Sequence, residues 1–342
     1  MDNTNISFMR TKFILSLTFL LAVTFLFAQE YPLVLNKQGS FTMADWGAYT
    51  HYDCGYTKTE TAANYQKVLA VINAVKKVNP VLNELKGFDA DLLLYAQQCD
   101  PKFGYGIPSR LRFGFCSWIN FKGKEICGKI EPPAWYLNFN VLGNMGSSSY
   151  EAINKKKVVT QKEKRDEAAR RLSELIYTTG KKETLAPGID LYNGQDVVVY
   201  NPDRPPYWLP ITVREVYKLT YDYWRLDPDS IGRSLGLQML DAEYGTFSEE
   251  ELDGYAYAMS KGALAHVGND EDSPQIMKPN PAYWNRSLPK SAIQVMKFVL
   301  PGDKTYLQNS VDEQLKANSI SYHEVRFELA LDIYQFASLI DK

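Results

Sequence analysis

From Leu111 to Val141 the chain is dominated by a period of two, which restricts this region to antiparallel sheet. Leu111-Arg112-Phe113-Gly114-Phe115 opens the pattern, Glu125 to Ile130 continues it, and in the stretch from Trp135 to Val141 the apolar Trp135, Leu137, Phe139 and Val141 alternate with Tyr136, Asn138 and Asn140. The polar stretch Lys122-Gly123-Lys124 between the first two segments has the residues of a tight hairpin turn, and the hairpin would bring Cys116 and Cys127 together. Cys54 and Cys99 are the other two cysteines, and four cysteines allow three pairings. The hairpin favours Cys116–Cys127 with Cys54–Cys99. No C-x-x-C pair exists to begin a zinc site, so no metal is expected at these residues.

Helices surround this β-rich centre. Thr57-Lys58-Thr59-Glu60 forms a capping box, and Tyr65, Val68, Leu69, Ile72 and Val75 then recur on one helical face. The helix should stop before Asn79-Pro80, because a residue preceding proline is pushed away from helical angles. Leu92-Leu93-Leu94-Tyr95 suits a buried strand or a short helix. In the second half, Thr160-Gln161-Lys162-Glu163 opens a charged helix to about Thr178, and Asp196 to Tyr200 reads as a strand. Thr212-Val213-Arg214-Glu215 caps a helix through Trp224, and Ser248-Glu249-Glu250-Glu251 caps another ending near Gly262. Ala292 to Leu300 reads as a strand. Ser321-Tyr322-His323-Glu324 is expected to cap a final helix whose buried positions are Val325, Leu329, Ile333, Phe336 and Ile340. These elements predict an α+β fold, an antiparallel sheet with helices packed on it.

The polar, glycine-rich stretch Gly143 to Ser149 suggests a linker. Three segments follow: a leader at 1–28, a disulfide-stapled α+β subdomain at 29–145, and a second α+β subdomain at 146–342 packed on the first. Asn79-Pro80 and Asn280-Pro281 each follow a capped helix and precede an apolar run, an internal echo that would fit two similar subdomains.

Arg10 and Lys12 precede an apolar run from Phe13 to Val23 that ends at Ala28-Gln29-Glu30, the pattern of a secretory signal peptide. Export to a periplasmic or extracellular space suits the even cysteine count. No later stretch is apolar enough to span a bilayer, so no transmembrane segment is expected in the mature chain. Loss of the leader takes only Asp2, Arg10 and Lys12 from totals of 40 acidic and 38 basic residues. A near-neutral balance argues against nucleic acid, which needs a concentrated basic face. The segments from Pro206 to Thr212 and from Asn280 to Gln294 are similar to stretches in uncharacterised exported bacterial proteins. The resemblance implies export and carries no activity.

Chemistry is thinly marked. Gly232-Arg233-Ser234-Leu235-Gly236 matches G-x-S-x-G, the nucleophile elbow of serine hydrolases, with His266 and His323 downstream. The preceding Asp227-Pro228-Asp229 is a poor end for a central strand and a good helix cap, so the pattern reads better as a glycine-containing helix. His51, between Trp46 and Cys54, belongs to an aromatic segment and has no partner histidine at ligand spacing. The acidic Asn269-Asp270-Glu271-Asp272 lacks the spacing of a calcium loop. Phosphate-binding loops are absent, and no cofactor is implied.

The 23 tyrosines and six tryptophans offer rings with polar tips, suited to grooves and sugar faces. Trp46, Tyr49, Trp135, Tyr207, Trp208, Tyr283 and Trp284 fall in loops or at strand starts. The leading expectation is a non-catalytic exported protein that binds a glycan or peptide through these aromatics. A secreted hydrolase, serine-type through Ser234 or carboxylate-based, and an envelope scaffold contacting another protein are the alternatives. Whether the chain is an enzyme is left open by its sequence.

Overall fold

Alternation in the first half resolves into long paired strands. The computed structural model describes residues 31–43, 55–96, 105–127, 134–142, 161–178, 182–258, 267–268, 273–300 and 304–342. The chain runs through β1 (Phe41–Met43), α1 (Lys58–Val78), α2 (Pro80–Asn83), β2 (Phe88–Ala96), β3 (Ser109–Phe121), β4 (Lys124–Cys127) and β5 (Ala134–Phe139). It continues through α3 (Gln161–Ser173), β6 (Ile176–Thr178), β7 (Glu183–Ala186), β8 (Ile189–Tyr192), β9 (Asp196–Tyr200), β10 (Trp208–Pro210), α4 (Val213–Arg225), α5 (Ser230–Tyr244) and α6 (Glu249–Asp253). The last elements are β11 (Tyr257–Ala258), β12 (Val267–Gly268), β13 (Gln275–Pro279), β14 (Val295–Val299), α7 (Lys304–Lys316) and α8 (Tyr322–Leu329), with 3-10 turns at 281–283 and 333–339. The fold is α+β. Among the described residues no helix is long and apolar enough to cross a membrane.

Among the described residues, nine strands form the larger sheet, in the order β1-β2-β3-β5-β14-β9-β8-β7, with β4 paired to the far end of β3. Every pairing is antiparallel except β1 with β2, so the sheet is mixed at that edge. The expected linker near residue 145 does not divide this sheet. β5, before the linker, pairs with β14, after it, through Phe139↔Met296 and Leu137↔Phe298. A smaller sheet, β10-β13-β11-β12 with β6 on β13, is built entirely from the second half.

One face of the larger sheet is the main core. Leu111, Phe113 and Phe115 of β3, Leu137 and Phe139 of β5, Met296 and Phe298 of β14, and Val197 and Val199 of β9 all point into it. Val68, Val71, Ile72 and Val75 of α1 cover them, together with Phe327 of α8 and Phe336 of the last 3-10 turn. Phe327 lies 5.1 Å from Phe115 and 5.4 Å from Trp135, ring centre to ring centre. Full burial of such a ring contributes about 1.5–3 kcal/mol. A second cluster, including Val216, Tyr217, Leu240 and Ile276, joins helices α4, α5 and α6 to the smaller sheet.

Local signals in the sequence hold in several places. Thr57 caps α1, with Glu60 N–H donating to the Thr57 hydroxyl at 3.2 Å and Thr57 N–H to the Glu60 carboxylate at 2.8 Å. The helix ends at Val78, before Asn79-Pro80. Ser248 and Glu251 make the second full capping box. Lys122 and Gly123, at φ 49° and 80°, form the two-residue turn between β3 and β4. Cys116 and Cys127 form a disulfide across that hairpin with their Cα atoms 5.6 Å apart. Cys54 and Cys99, like the leader at 1–28 and the linker at 143–149, lie outside the described residues.

Other expectations are corrected. The final helix is not continuous to Ile340: α8 ends at Leu329, and a separate 3-10 turn starts after Asp332. The Asp332 carboxylate accepts from Tyr334 N–H at 3.1 Å, so a short polar side chain competes for the backbone and restarts the chain in a new direction. Ser321 makes no side-chain cap, because it already has helical angles. The charged helix stops at Ser173 and β6 follows, α6 stops at Asp253, and the strand predicted from Ala292 begins at Val295.

Candidate functional site

A strand packed on a core by one face turns its alternate residues to the other. In the larger sheet that second face is polar over the middle strands. Cross-strand pairing sets Tyr95, Arg110, Asn138, Lys297, Val198, Asp190 and Thr184 in one row from β2 to β7. The next row holds Leu93, Arg112 and Tyr136.

The β2-β3-β5 part of this face is partly open. Tyr95 and Tyr136 are 38% and 40% exposed. The Arg110 Nε donates to the Asn138 side-chain oxygen at 2.9 Å, and its guanidinium lies 5.5 Å from the Tyr136 ring centre. Arg112 pairs with Asp91 at 2.8 Å. Gly114 makes room for that pair, since a Cβ there would come within 2.2 Å of the Asp91 carboxylate. Asn138 is buried and donates to the Lys297 carbonyl at 3.3 Å.

Towards β9 and β8 the same face closes. Trp208 covers Lys297, whose Nζ lies 4.9 Å from the ring centre, and the Trp208 indole N–H donates to the Leu142 carbonyl at 2.7 Å. Burial lowers the Lys297 amine to about 8, with Asp196 pulling the other way; burial also raises the Asp196 carboxyl, against Lys297. Asp190 is fully buried and accepts from Tyr207 at 2.5 Å, Thr184 at 2.7 Å and Tyr200 at 3.3 Å, with Lys182 at 2.9 Å. Burial, with the Asp190 charge behind it, pushes the Tyr200 hydroxyl up to about 12. Four partners around one carboxylate make this end a locked structural network.

The aromatic residues expected to line a groove are placed differently. Trp135 is buried in the main core, its indole N–H donating to Val299. Tyr207, Trp208, Tyr283 and Trp284 are at most 6% exposed and form a third cluster with Tyr192 and Val198. These five rings therefore pack rather than line an open surface. Trp135 lies in β5 and Trp208 starts β10, and Asn280 N–H donates to the Tyr207 carbonyl at 2.9 Å, tying Tyr207 to the 280–284 segment that carries Tyr283 and Trp284. Trp46, Tyr49 and His51 lie outside the described residues, as do His266 and the acidic loop 269–272.

Ser234 sits in the middle of α5 on its exposed side, receiving a weak 3.5 Å contact from Gln238. Asp229 caps that helix, and Gly236 lets it approach Trp224, where a Cβ would come within 2.5 Å of the ring. The helix reading of G-x-S-x-G is thus the observed one. His323 is buried against Phe88, with ring centres 4.5 Å apart. Among the carboxylates, Glu328 is pushed up to about 8 by burial and by Glu324 one turn away.

The open-face residues Tyr95, Arg110, Arg112 and Tyr136 were missed by sequence reading. A signal existed: arginine and tyrosine at the polar positions of strands otherwise built for a core. No family model, no curated protein and no solved structure matches the chain.

Proposed function

We propose that this is an exported binding protein whose ligand, an acidic glycan, lies across the open face of β2, β3 and β5. The observation that carries the reading is the cross-strand set Tyr95, Arg110, Arg112 and Tyr136, two arginines between two partly exposed rings on the side of the sheet away from the core. Tyrosine faces stack on sugar rings, and arginine forks match carboxylates in bidentate fashion. Asp91 holds Arg112 in place and Asn138 holds Arg110, so both are positioned before a ligand arrives. Ligand carboxylates would compete with Asp91 for one fork of Arg112.

The test is calorimetry of the chain against acidic and neutral oligosaccharides at fixed salt. Arg110→Gln and Tyr136→Ala should each weaken binding of an acidic oligosaccharide by about tenfold or more, the scale of a lost charged hydrogen bond or stacked ring. Affinity should also fall as salt rises. Equal affinity for neutral oligosaccharides, or unchanged affinity in both variants, would remove this reading.

A further inference from the structure

The backbone nitrogen that follows an asparagine can attack the side-chain amide carbon, and a glycine at that place leaves the approach uncrowded. The chain holds one Asn-Gly pair, Asn193-Gly194. It forms the tip of the β8–β9 hairpin, where Gln195 N–H donates to the Tyr192 carbonyl at 3.0 Å. The two residues inside that turn sit at φ 54° and 68°.

Its surroundings set Asn193 apart. Among the described residues, the asparagines with positive φ are Asn140, Asn193 and Asn318. Asn140 is buried, and its amide donates to the Ile107 and Ala292 carbonyls at 3.2 and 2.8 Å. The Asn318 side chain accepts from Leu33 N–H at 3.3 Å. Both are held in place. Asn193 is exposed, and among the described residues neither its side chain nor Gly194 N–H makes a hydrogen bond. A Cβ placed on Gly194 would meet nothing within 4 Å, so a ring closing over this turn has room. One hydrogen bond, from Gln195, closes the tip beyond the Tyr192↔Asp196 pair, so the tip can open while the strands stay joined.

We propose that Asn193 is a site of spontaneous modification that ages this hairpin. The Gly194 nitrogen, its proton lost to solvent base, bonds to Asn193 Cγ; the Cγ–Nδ2 bond breaks, and ammonia leaves a cyclic imide. Water, the one co-reactant, then opens the imide at either carbonyl to give aspartate or isoaspartate. In isoaspartate the main chain runs through Cβ and is one carbon longer, so the turn that sets the register of β8 on β9 loses its geometry. β8 carries Asp190, which accepts from Tyr207 and Thr184, and Tyr192, whose hydroxyl meets that of Tyr207 at 2.8 Å. A change at the tip therefore loosens the network behind it. The step is independent of the glycan reading.

The experiment keeps the full chain warm at mildly acidic and mildly alkaline pH for weeks, sampled by peptide mass mapping, an isoaspartate assay and thermal melting. Asn193 should be the first amide converted to acid, faster at alkaline pH because the attacking nitrogen must lose its proton. Conversion there should exceed that at Asn309 and Asn318, which precede serine, by about tenfold, a barrier difference of about 1.4 kcal/mol. The aged chain should melt earlier than the fresh one. Asn193→Gly keeps a residue that accepts positive φ and removes the amide, so it should fold as the parent does and keep its melting curve on ageing. Freshly made Asn193→Asp should melt with the fresh parent, which assigns the loss to isoaspartate rather than to charge. An intact Asn193 after ageing, equal conversion at Asn309 or Asn318, an Asn193→Gly chain that ages as the parent does, or a fresh Asn193→Asp chain that melts as early as the aged parent would each overturn the proposal.

Discussion

His323 shows how one side chain ties the stability of the chain to pH. Its folded-state pKa of about 3 lies below the ordinary 6.5, so the unfolded chain takes up the proton first. The stability it permits is fully present above 6.5 and is lost as pH falls from there towards 3. His323→Phe keeps the aromatic stack on Phe88 and removes the titration. The variant should melt close to the parent at pH 7 and well above it at pH 4, with a gap on the order of 2–4 kcal/mol. Thermal unfolding followed by circular dichroism across pH 4–7 measures this, and parallel curves for the two proteins would refute it. The histidine was visible in the sequence, but its burial was not. It stood in a capping-box pattern, Ser321 to Glu324, that normally marks an exposed helix start.

At the scale of elements, α8 carries two carboxylates one turn apart, Glu324 and Glu328. Glu328 is raised to about 8, first by burial and then by Glu324, whereas an unfolded glutamate titrates near 4.5. A raised carboxyl contributes stability below its unfolded value that is lost as pH climbs through the folded one. Glu328→Gln should therefore stabilise the chain increasingly from pH 4.5 to pH 8. The gain should be of order 1 kcal/mol, discounted because water still reaches the carboxylate. Denaturant midpoints for the two proteins at pH 5 and pH 8 test the slope, and a constant difference would defeat the argument. Element boundaries were legible where the cause is local. The Thr57–Glu60 box, the Lys122-Gly123 turn and the Asp229 cap each act within a few residues, and each was found. The two Asn-Pro echoes also share a local cause: Asn79 and Asn280 each cap a short turn and donate sideways, to Phe327 and to Pro206 carbonyls. Legibility failed where distant packing decides. Tyr207, Trp208, Tyr283 and Trp284 lie in sequence contexts typical of an exposed loop, and it is packing on one another and on Tyr192, Val198 and Val295, distant in sequence, that buries them. Arg110 and Tyr136 become neighbours only through the register of β3 with β5.

The whole molecule is organised by a sheet that ignores the glycine-rich stretch before residue 150. β5 is central, with β3 on one side and β14 on the other, so the first half ends in the middle of a hydrogen-bonded ladder. A fragment of residues 29–145 would leave the β5 edge without its partner and Leu137 and Phe139 without Phe298. It would also lack Phe327 and Phe336, which close the core over Trp135. Loss of several fully buried aromatic rings costs about 3–5 kcal/mol each, more than the total stability of an ordinary domain when summed. The fragment should accordingly show no cooperative thermal transition, despite its Cys116–Cys127 staple. Co-expressed with residues 146–342, it should be recovered as a complex that melts cooperatively, because the β5–β14 ladder can form between chains as it does within one. Circular dichroism and limited proteolysis of the fragment alone and of the co-expressed pair give the answer. A sharply melting, protease-resistant fragment 29–145 would mean that the two halves fold separately and that the shared sheet is not what holds the molecule together.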